Sequence, residues 1–166
     1  MRLRSMSFGM TLSLLCLTVA LAVGKVDFSG VWVMDKSKAE GIPPDMDQKM
    51  RVRQEGDRLD LETDLIVNDD INTVHDGYDL NGKEVEFTAR LGNGQETRGK
   101  RIAKWNADGS GIEVREESTF DTPDGKVSVT MQRKWTLSAD GKTLVIELNH
   151  TGPNGPVSSK RTFNRK

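Results

Sequence analysis

Residues able to do acid–base or metal chemistry are few in this sequence, and they lack the spacing that such chemistry needs. His75 and His150 are the only histidines, and neither has the spacing of a metal motif such as H-E-x-x-H. Asp69, Asp70 and Asp76 lie near His75 and could form an acid–base or metal cluster, but a solvated loop and strand edge explain them better. We therefore expect no catalytic residue, no metal site, no cofactor and no enzymatic activity. Neither histidine should face a cavity beside a carboxylate.

A second group of polar residues is more informative, because its members alternate in step with apolar residues. Residues two apart on a strand lie on the same face, so these polar side chains should point inward. Burying them unpaired is costly, so they should bond to one another, to ordered water or to a ligand. A hollow, partly hydrated barrel could accommodate these polar side chains. Alternatively, they lie at the barrel rims, or the register is off by one residue. The group consists of Thr63, Glu116, Ser118, Arg133, Ser159 and Arg161.

The elements that must position these residues are β-strands. Period-two alternation of apolar and polar residues recurs after Lys25, and no window supports an amphipathic helix of normal length. Asn-Gly and Asp-Gly pairs, which favour tight hairpins, separate the alternating runs. The sequence predicts an all-β domain, an antiparallel up-and-down β-barrel of about 8–10 strands, with a two-sheet β-sandwich as the alternative. The last strand should run over 157–163, and the proline-containing segment 36–48 should be an extended loop.

The N-terminal segment differs from the rest of the chain. Arg2 and Arg4 precede an apolar run over 10–23, which contains the small residues of an A-x-A cleavage site. This pattern predicts a secretory signal peptide over 1–22 that is removed, leaving a single domain over 23–166. We therefore expect a periplasmic or secreted protein with no stable membrane insertion after cleavage. Cys16, the only cysteine, lies in the signal, so the mature chain would form no disulfide.

The charge composition excludes one class of partner. The 166 residues contain 24 Lys and Arg and 25 Asp and Glu, which gives a formal net charge of −1. Acidic and basic residues alternate along the predicted outer faces, so no basic stripe exists for a phosphate backbone. We expect no nucleic-acid partner, and we expect a monomer.

Two segments and one strand carry a resemblance to a known family. The start DFSGVW at 27–32, the pattern LSADGKTL at 137–144 and a basic last strand resemble small exported bacterial proteins of the calycin or lipocalin superfamily. The resemblance covers residues 27–164 and implies a lipocalin-like barrel. It also implies that Trp32 closes one barrel end and that a basic last-strand residue packs across its ring. Arg161 is the best match for that residue, and Lys160 is the fallback. The family's flanking C-terminal helix and its relatives' lid helices have no counterpart here.

These observations lead to three functional hypotheses. The first is an exported lipocalin-like barrel that binds a small, largely apolar molecule in its interior. Arg133 or Arg161 would then receive an acidic head group, with Glu116 and Thr63 as further polar ligand-binding residues. The second is a ligand-free cell-envelope module that is filled by its own side chains and acts through protein contacts. The third is an enzyme that uses a lipocalin-like cavity. An open interior favours the first hypothesis and a packed interior the second.

Overall fold

The protein is described by a computed structural model that covers residues 24–90, 96–122 and 125–166. The predicted signal peptide lies outside the described residues. Within them the chain forms a single antiparallel sheet of ten strands. The strands are β1 (Gly30–Met34), β2 (Met46–Glu55), β3 (Arg58–Val67), β4 (Asp70–Asp79), β5 (Asn81–Arg90), β6 (Glu96–Trp105), β7 (Gly111–Thr122), β8 (Gly125–Leu137), β9 (Thr143–Gly152) and β10 (Gly155–Arg165).

The strand order confirms the up-and-down barrel and excludes the two-sheet sandwich. Along the sheet the order is β4-β3-β2-β1-β10-β9-β8-β7-β6-β5, so the last strand lies beside the first. Every other pairing joins strands that are consecutive in the chain. Among the described residues β4 and β5 do not pair, although they follow each other directly. The barrel is therefore nearly closed, with one opening between β4 and β5.

The two ends of the barrel differ. The closed end contains the β2–β3, β4–β5, β6–β7 and β8–β9 turns, and the segment 24–29 plugs it. The Val26 amide donates to the Gly109 carbonyl at 3.1 Å, and the Phe28 amide donates to the Gln54 side chain at 2.9 Å. A fully buried apolar core fills this half, so the barrel is stabilised chiefly at this end. Its largest side chains are Phe28, Trp32, Leu59, Ile112, Trp135, Leu144 and Phe163.

A basic residue stacks on Trp32, but it is not the one predicted. The guanidinium carbon of Arg165 lies 4.5 Å from the centroid of the Trp32 ring, and Trp32 pairs with Arg165 in the strand register. Arg161 pairs with Ile146 and lies four residues before Arg165 on β10, further from the closed end. The predicted partner, Arg161, and its fallback, Lys160, are therefore both wrong. Arg161 and Arg165 share the same alternation, so parity alone could not choose between them.

The segment 35–45, here called the strap, continues past β1 along β10 on the mouth side of the barrel. The Asp35 amide donates to the Thr162 carbonyl at 2.7 Å, and Glu40 exchanges backbone hydrogen bonds with Lys160. Gly41 has a φ of +66°, and a Cβ there would lie 2.3 Å from the Ser158 carbonyl oxygen, so only glycine fits. A single turn of 3-10 helix over Lys36–Lys38 is its only helical part. The strap matches most of the predicted loop over 36–48, but residues 46–48 of that prediction belong to β2.

No helix within the described ranges is long and apolar enough to cross a membrane.

Candidate functional site

The interior changes character halfway along the barrel, where a layer of charged side chains covers the apolar core. This layer, here called the charged belt, consists of Asp76, Arg101, Glu116, Arg133 and Arg161. They project inward from β4, β6, β7, β8 and β10 respectively. The structure thus brings three of the predicted ligand-binding residues together, namely Glu116, Arg133 and Arg161.

Arg101 is the most heavily bonded residue of the belt. Its Nη1 donates to Asp76 Oδ1 at 2.7 Å and to the Gly77 carbonyl at 2.8 Å, and its Nε donates to Glu116 Oε1 at 2.6 Å. Its guanidinium carbon also lies 4.8 Å from the Tyr78 ring centroid and 4.6 Å from that of Phe87. Burial acts to lower the pKa of Arg101, but the neighbouring carboxylates outweigh it and the pKa is raised. Arg101 therefore joins β6 to β4 across the opening between β4 and β5.

Glu116 links Arg101 to Arg133. The carboxylate is almost completely buried, and its second oxygen accepts a hydrogen bond from Arg133 Nη1 at 2.7 Å. A carboxylate shared by two guanidinium groups is well compensated for its loss of water. The expectation that inward polar residues bond to one another is confirmed for this pair.

Arg161 is the exception in the belt. Its Nη1 donates to Gln48 Oε1 at 2.9 Å, and its Nε is buried without a hydrogen-bond partner. It makes no ion pair with any described residue, and both burial and the nearby Arg133 lower its pKa. Along the belt the charges alternate in sign from Asp76 to Arg133. The next member, Arg161, carries a positive charge like Arg133. No described carboxylate pairs with Arg161, although a second cation, Arg133, lies nearby.

The mouth half of the interior is only partly buried. Apolar side chains on the inner face here are half-exposed, in contrast to the fully buried core below the belt. Thr63, Ser118 and Ser159 lie on this face, as predicted from their parity. Thr63 pairs with Met50 and Val74 in the register and makes no described hydrogen bond to the belt. The half-exposed apolar residues of this half include Leu65, Phe87, Val129, Met131 and Leu148.

Two surface depressions lie outside the belt. The first, of about 660 Å³, lies on the outer face of β5–β8, and the second, of about 610 Å³, lies mainly on that of β6–β9. Acidic, basic and hydroxyl side chains that face outward line them, for example Lys100 and Glu117. The belt is the stronger candidate for a binding site, because Arg161 is half-buried there without an ion-pair partner among the described residues.

The histidines contribute no reactive cluster in the described part of the chain. His75 lies on the exposed outer face of β4, opposite Glu62. His150 lies on the inner face near the mouth, opposite Met131, and has no described carboxylate partner. No group of three metal-ligating side chains occurs among the described residues.

Sequence reasoning missed three members of this site. Asp76 was interpreted as a solvated edge residue, and Arg101 and Gln48 were not singled out. The available signal for Arg101 was parity, since it alternates in step with Ala103 and Trp105, which are apolar.

Comparison with known proteins adds a fold assignment. No known protein family and no curated protein matches the sequence. A crystal structure of the zebrafish ileal bile acid-binding protein complexed with cholic acid is similar, with a TM-score of 0.52 and 18% identity over 84% of this chain and 98% of that one. Secretory abundant heat soluble protein 4 from Ramazzottius varieornatus is also similar, with a TM-score of 0.50 and 14% identity over 83% and 94% of the two chains. The chain has a calycin-like fold. Identities this low establish the fold alone.

Proposed function

We propose that the protein binds a small, largely apolar molecule through one acidic head group, which is seated on Arg161 beside Arg133. The observation that carries this proposal is the half-buried side chain of Arg161, whose buried Nε has no hydrogen-bond partner and whose charge has no carboxylate partner among the described residues. A buried charge without a partner destabilises the folded protein, so a ligand that supplies the missing anion offsets that cost.

The donors left free on Arg161 suit a carboxylate. Gln48 occupies Nη1, which leaves Nε and Nη2 without described partners. These two atoms form one edge of the guanidinium plane, the edge that a carboxylate can accept in a bidentate pair. Arg133 already forms an ion pair with Glu116, so its charge is compensated, whereas Arg161 has no ion pair with a described residue. Of the two arginines predicted for the head group, we assign the direct contact to Arg161.

The apolar part of the ligand would lie in the mouth half of the barrel. Its half-exposed apolar side chains would lose contact with water, which contributes roughly 25 cal/mol per Å² before ordering costs. In support, the fold is shared with a protein whose structure is complexed with cholic acid, itself an acidic and largely apolar molecule.

We propose further that the protein acts as a monomer outside the cytoplasm, in the periplasm or secreted. The support for export is the signal-peptide pattern at 1–22. The mixed charges of the outer face support the absence of a nucleic-acid partner.

The second hypothesis, a ligand-free module, draws support from the packed closed half of the barrel. It gives no reason for the unpaired charge at Arg161. Binding measurements separate the two.

The test compares decanoate with decanol, which has the same tail without the charge. Both compounds are titrated against a hydrophobic dye bound to the wild type, to Arg161→Gln and to Arg165→Gln. Charge-assisted hydrogen bonds contribute about 1.5–3 kcal/mol, so decanoate should bind Arg161→Gln about tenfold more weakly or worse. Decanol should be unaffected, and Arg165→Gln should behave as the wild type.

Equal loss of decanoate and decanol, or no loss in Arg161→Gln, would contradict the proposed head-group site. If no amphiphile in a wider panel binds the wild type, the ligand-free module is the better description.

A further inference from the structure

Few described contacts span the opening between β4 and β5. The two strands meet at a turn around Leu80, whose amide donates to the Asp57 carbonyl at 2.7 Å. Towards the mouth, the next described link between the two sides is the pair Asp76–Arg101. Residues 70–75 of β4 are all exposed, on both faces of the strand. We call the opening on the mouth side of Asp76–Arg101 the seam.

Apolar side chains line the seam from the inside. Val74 pairs with Thr63 and Val85 pairs with Arg101, so both valines lie on the inner face of the sheet. They are nevertheless 42% and 38% exposed. Val74 and Val85 lie on β4 and β5, which have no partner strand across the opening, so solvent reaches their side chains through the seam. The seam is therefore a lateral window into the mouth half of the barrel, with both valines on its inner side.

An aromatic ring screens the belt from this window. A Cβ added at Gly99 would lie 2.8 Å from the Phe87 ring, so the ring lies directly over this glycine. The same ring lies over the Arg101 guanidinium, and the register places Phe87 on its mouth side, with Tyr78 on the other side. The charge of Arg101 is thus covered by an apolar surface that continues to Val74 and Val85.

The seam lies across the barrel from Arg161. In the strand order, β10 lies four strands from β4 and five strands from β5. It therefore faces the seam across the bore. On its own side, Arg161 is flanked by the strap, whose Ala39 and Ile42 pack against the core. A molecule whose head group is held at Arg161 can therefore extend away from the strap, across the bore towards the seam.

We propose that the seam is the second half of the binding site, where the apolar tail of the acidic ligand lies between Val74 and Val85 with its far end in solvent. This inference rests on the proposed function, because the head group at Arg161 sets the direction of the tail. It defines a substrate class, namely monocarboxylates whose tail is long or carries a bulky group at the end remote from the carboxylate.

The first experiment varies the ligand. Undecanoate, undecanoate with a dansyl group at its far end, and undecanoate with the same group beside the carboxylate are titrated against the wild type. The far-end label should leave affinity within about threefold of undecanoate, whereas the label beside the carboxylate should cost about tenfold or more, because it meets the buried Arg161. The bound far-end dansyl group should remain open to quenching by iodide.

The second experiment varies the seam. Val74→Asp should weaken undecanoate about tenfold, since a carboxylate would replace apolar contact with the tail. Ile71→Asp is the matched control: Ile71 lies on the same strand and is 66% exposed, but it pairs with Ile66 on the outer face. It should leave binding unchanged. Both positions are exposed, so both variants should fold, and thermal unfolding of each checks this.

The outcomes separate this inference from the proposed function. If undecanoate binds in an Arg161-dependent way but the far-end label abolishes binding, or if Val74→Asp and Ile71→Asp behave alike, the seam assignment is wrong and the head-group site stands. If undecanoate does not bind, or binds equally to Arg161→Gln, both proposals fail.

Discussion

Two arginines of the belt illustrate how differently the same residue type can act inside one barrel. Arg101 is bonded to two carboxylates and a carbonyl and lies between two aromatic rings. Arg161 has one neutral partner and lies near a second cation. Arg101 therefore stabilises the barrel. Arg161 lowers its stability, and the proposed ligand would offset that loss.

Substituting each arginine by methionine, which keeps the side-chain length, tests this contrast. Arg101→Met should lower the free energy of unfolding by about 3 kcal/mol, because it leaves buried carboxylates without their partner. Arg161→Met should leave it unchanged or raise it, because it removes an uncompensated buried charge. Urea unfolding of the ligand-free proteins measures both. Equal destabilisation by the two substitutions would mean that Arg161 is satisfied in the ligand-free protein.

The stacking of Arg165 on Trp32 gives a second prediction at this scale. Trp32→Ala should lower the free energy of unfolding by about 3–5 kcal/mol, as for other large core truncations. A double-mutant cycle between Trp32 and Arg165 should give a coupling of about 0.5–2 kcal/mol, the usual range for such contacts. The same cycle between Trp32 and Arg161 should give none, and a larger coupling there would restore the original sequence-based pairing.

At the scale of the elements, the strands differ in how clearly the sequence predicts them. β8 and β9 alternate cleanly because their inner faces are largely apolar. β4 and β6 show the alternation less clearly, because their inner faces carry Asp76 and Arg101 in place of apolar residues. Asp76 and Arg101 form the ion pair that spans the opening between β4 and β5. Polar residues at these inner positions interrupt the apolar alternation from which strands are predicted.

A row of alternating charges crosses the outer face and helps to fix the strand register. Each member pairs with the next in the register, with described ion pairs at both ends of the row, at 3.3 and 3.7 Å. Such cross-strand pairs contribute about 0.2–1 kcal/mol each and penalise a slipped register with like-charge contacts. The row consists of Lys104, Glu113, Lys134, Glu147, Lys160 and Glu40.

Reversing one charge of this row should therefore destabilise the sheet. Lys134→Glu places three acidic residues side by side and should lower the free energy of unfolding by about 1 kcal/mol. Lys134→Gln should cost less, and the difference between the two variants should shrink in high salt because these side chains are exposed. Urea unfolding at two salt concentrations measures this; a difference that does not change with salt would argue against charge pairing.

The strap provides a pH-dependent prediction. Hydrogen bonds from Ser37, then from Lys38, lower the pKa of Asp35 from 3.8 to about 2. Because the folded pKa is lowered, the contribution of Asp35 is complete above pH 3.8 and is lost as the pH falls through about 2. Asp35→Ala should accelerate amide exchange in residues 36–39 at neutral pH, and this difference from the wild type should vanish towards pH 2. A difference that persists unchanged at that pH would assign the effect to another contact.

For the molecule as a whole, the sequence was sufficient for the architecture but not for the interior. Alternation and turn residues predicted an up-and-down barrel of about the observed number of strands. They could not decide whether the barrel is hollow or filled, because it is both: packed at the closed end and half-exposed towards the mouth. Nor could they reveal that Arg161 has no carboxylate partner among the described residues, since the pairing of the belt depends on which inward charges meet across five strands. Pairing of this kind is set by strand tilt and register, which parity leaves open.

The central claim is that an ionised carboxylate is held by Arg161 in the mouth half of the barrel. The most direct measurement is an NMR titration of decanoate labelled with ¹³C at its carboxyl group, bound to the wild type and to Arg161→Gln. Two neighbouring guanidinium groups favour the charged form, so the pKa of the bound carboxyl should lie below that of free decanoate in the wild type. Binding should therefore be strongest above the free pKa and weaken as the pH falls below it. In Arg161→Gln the lowering of the pKa should largely disappear. A bound carboxyl that titrates at or above the free value, or identically in both proteins, would contradict the account.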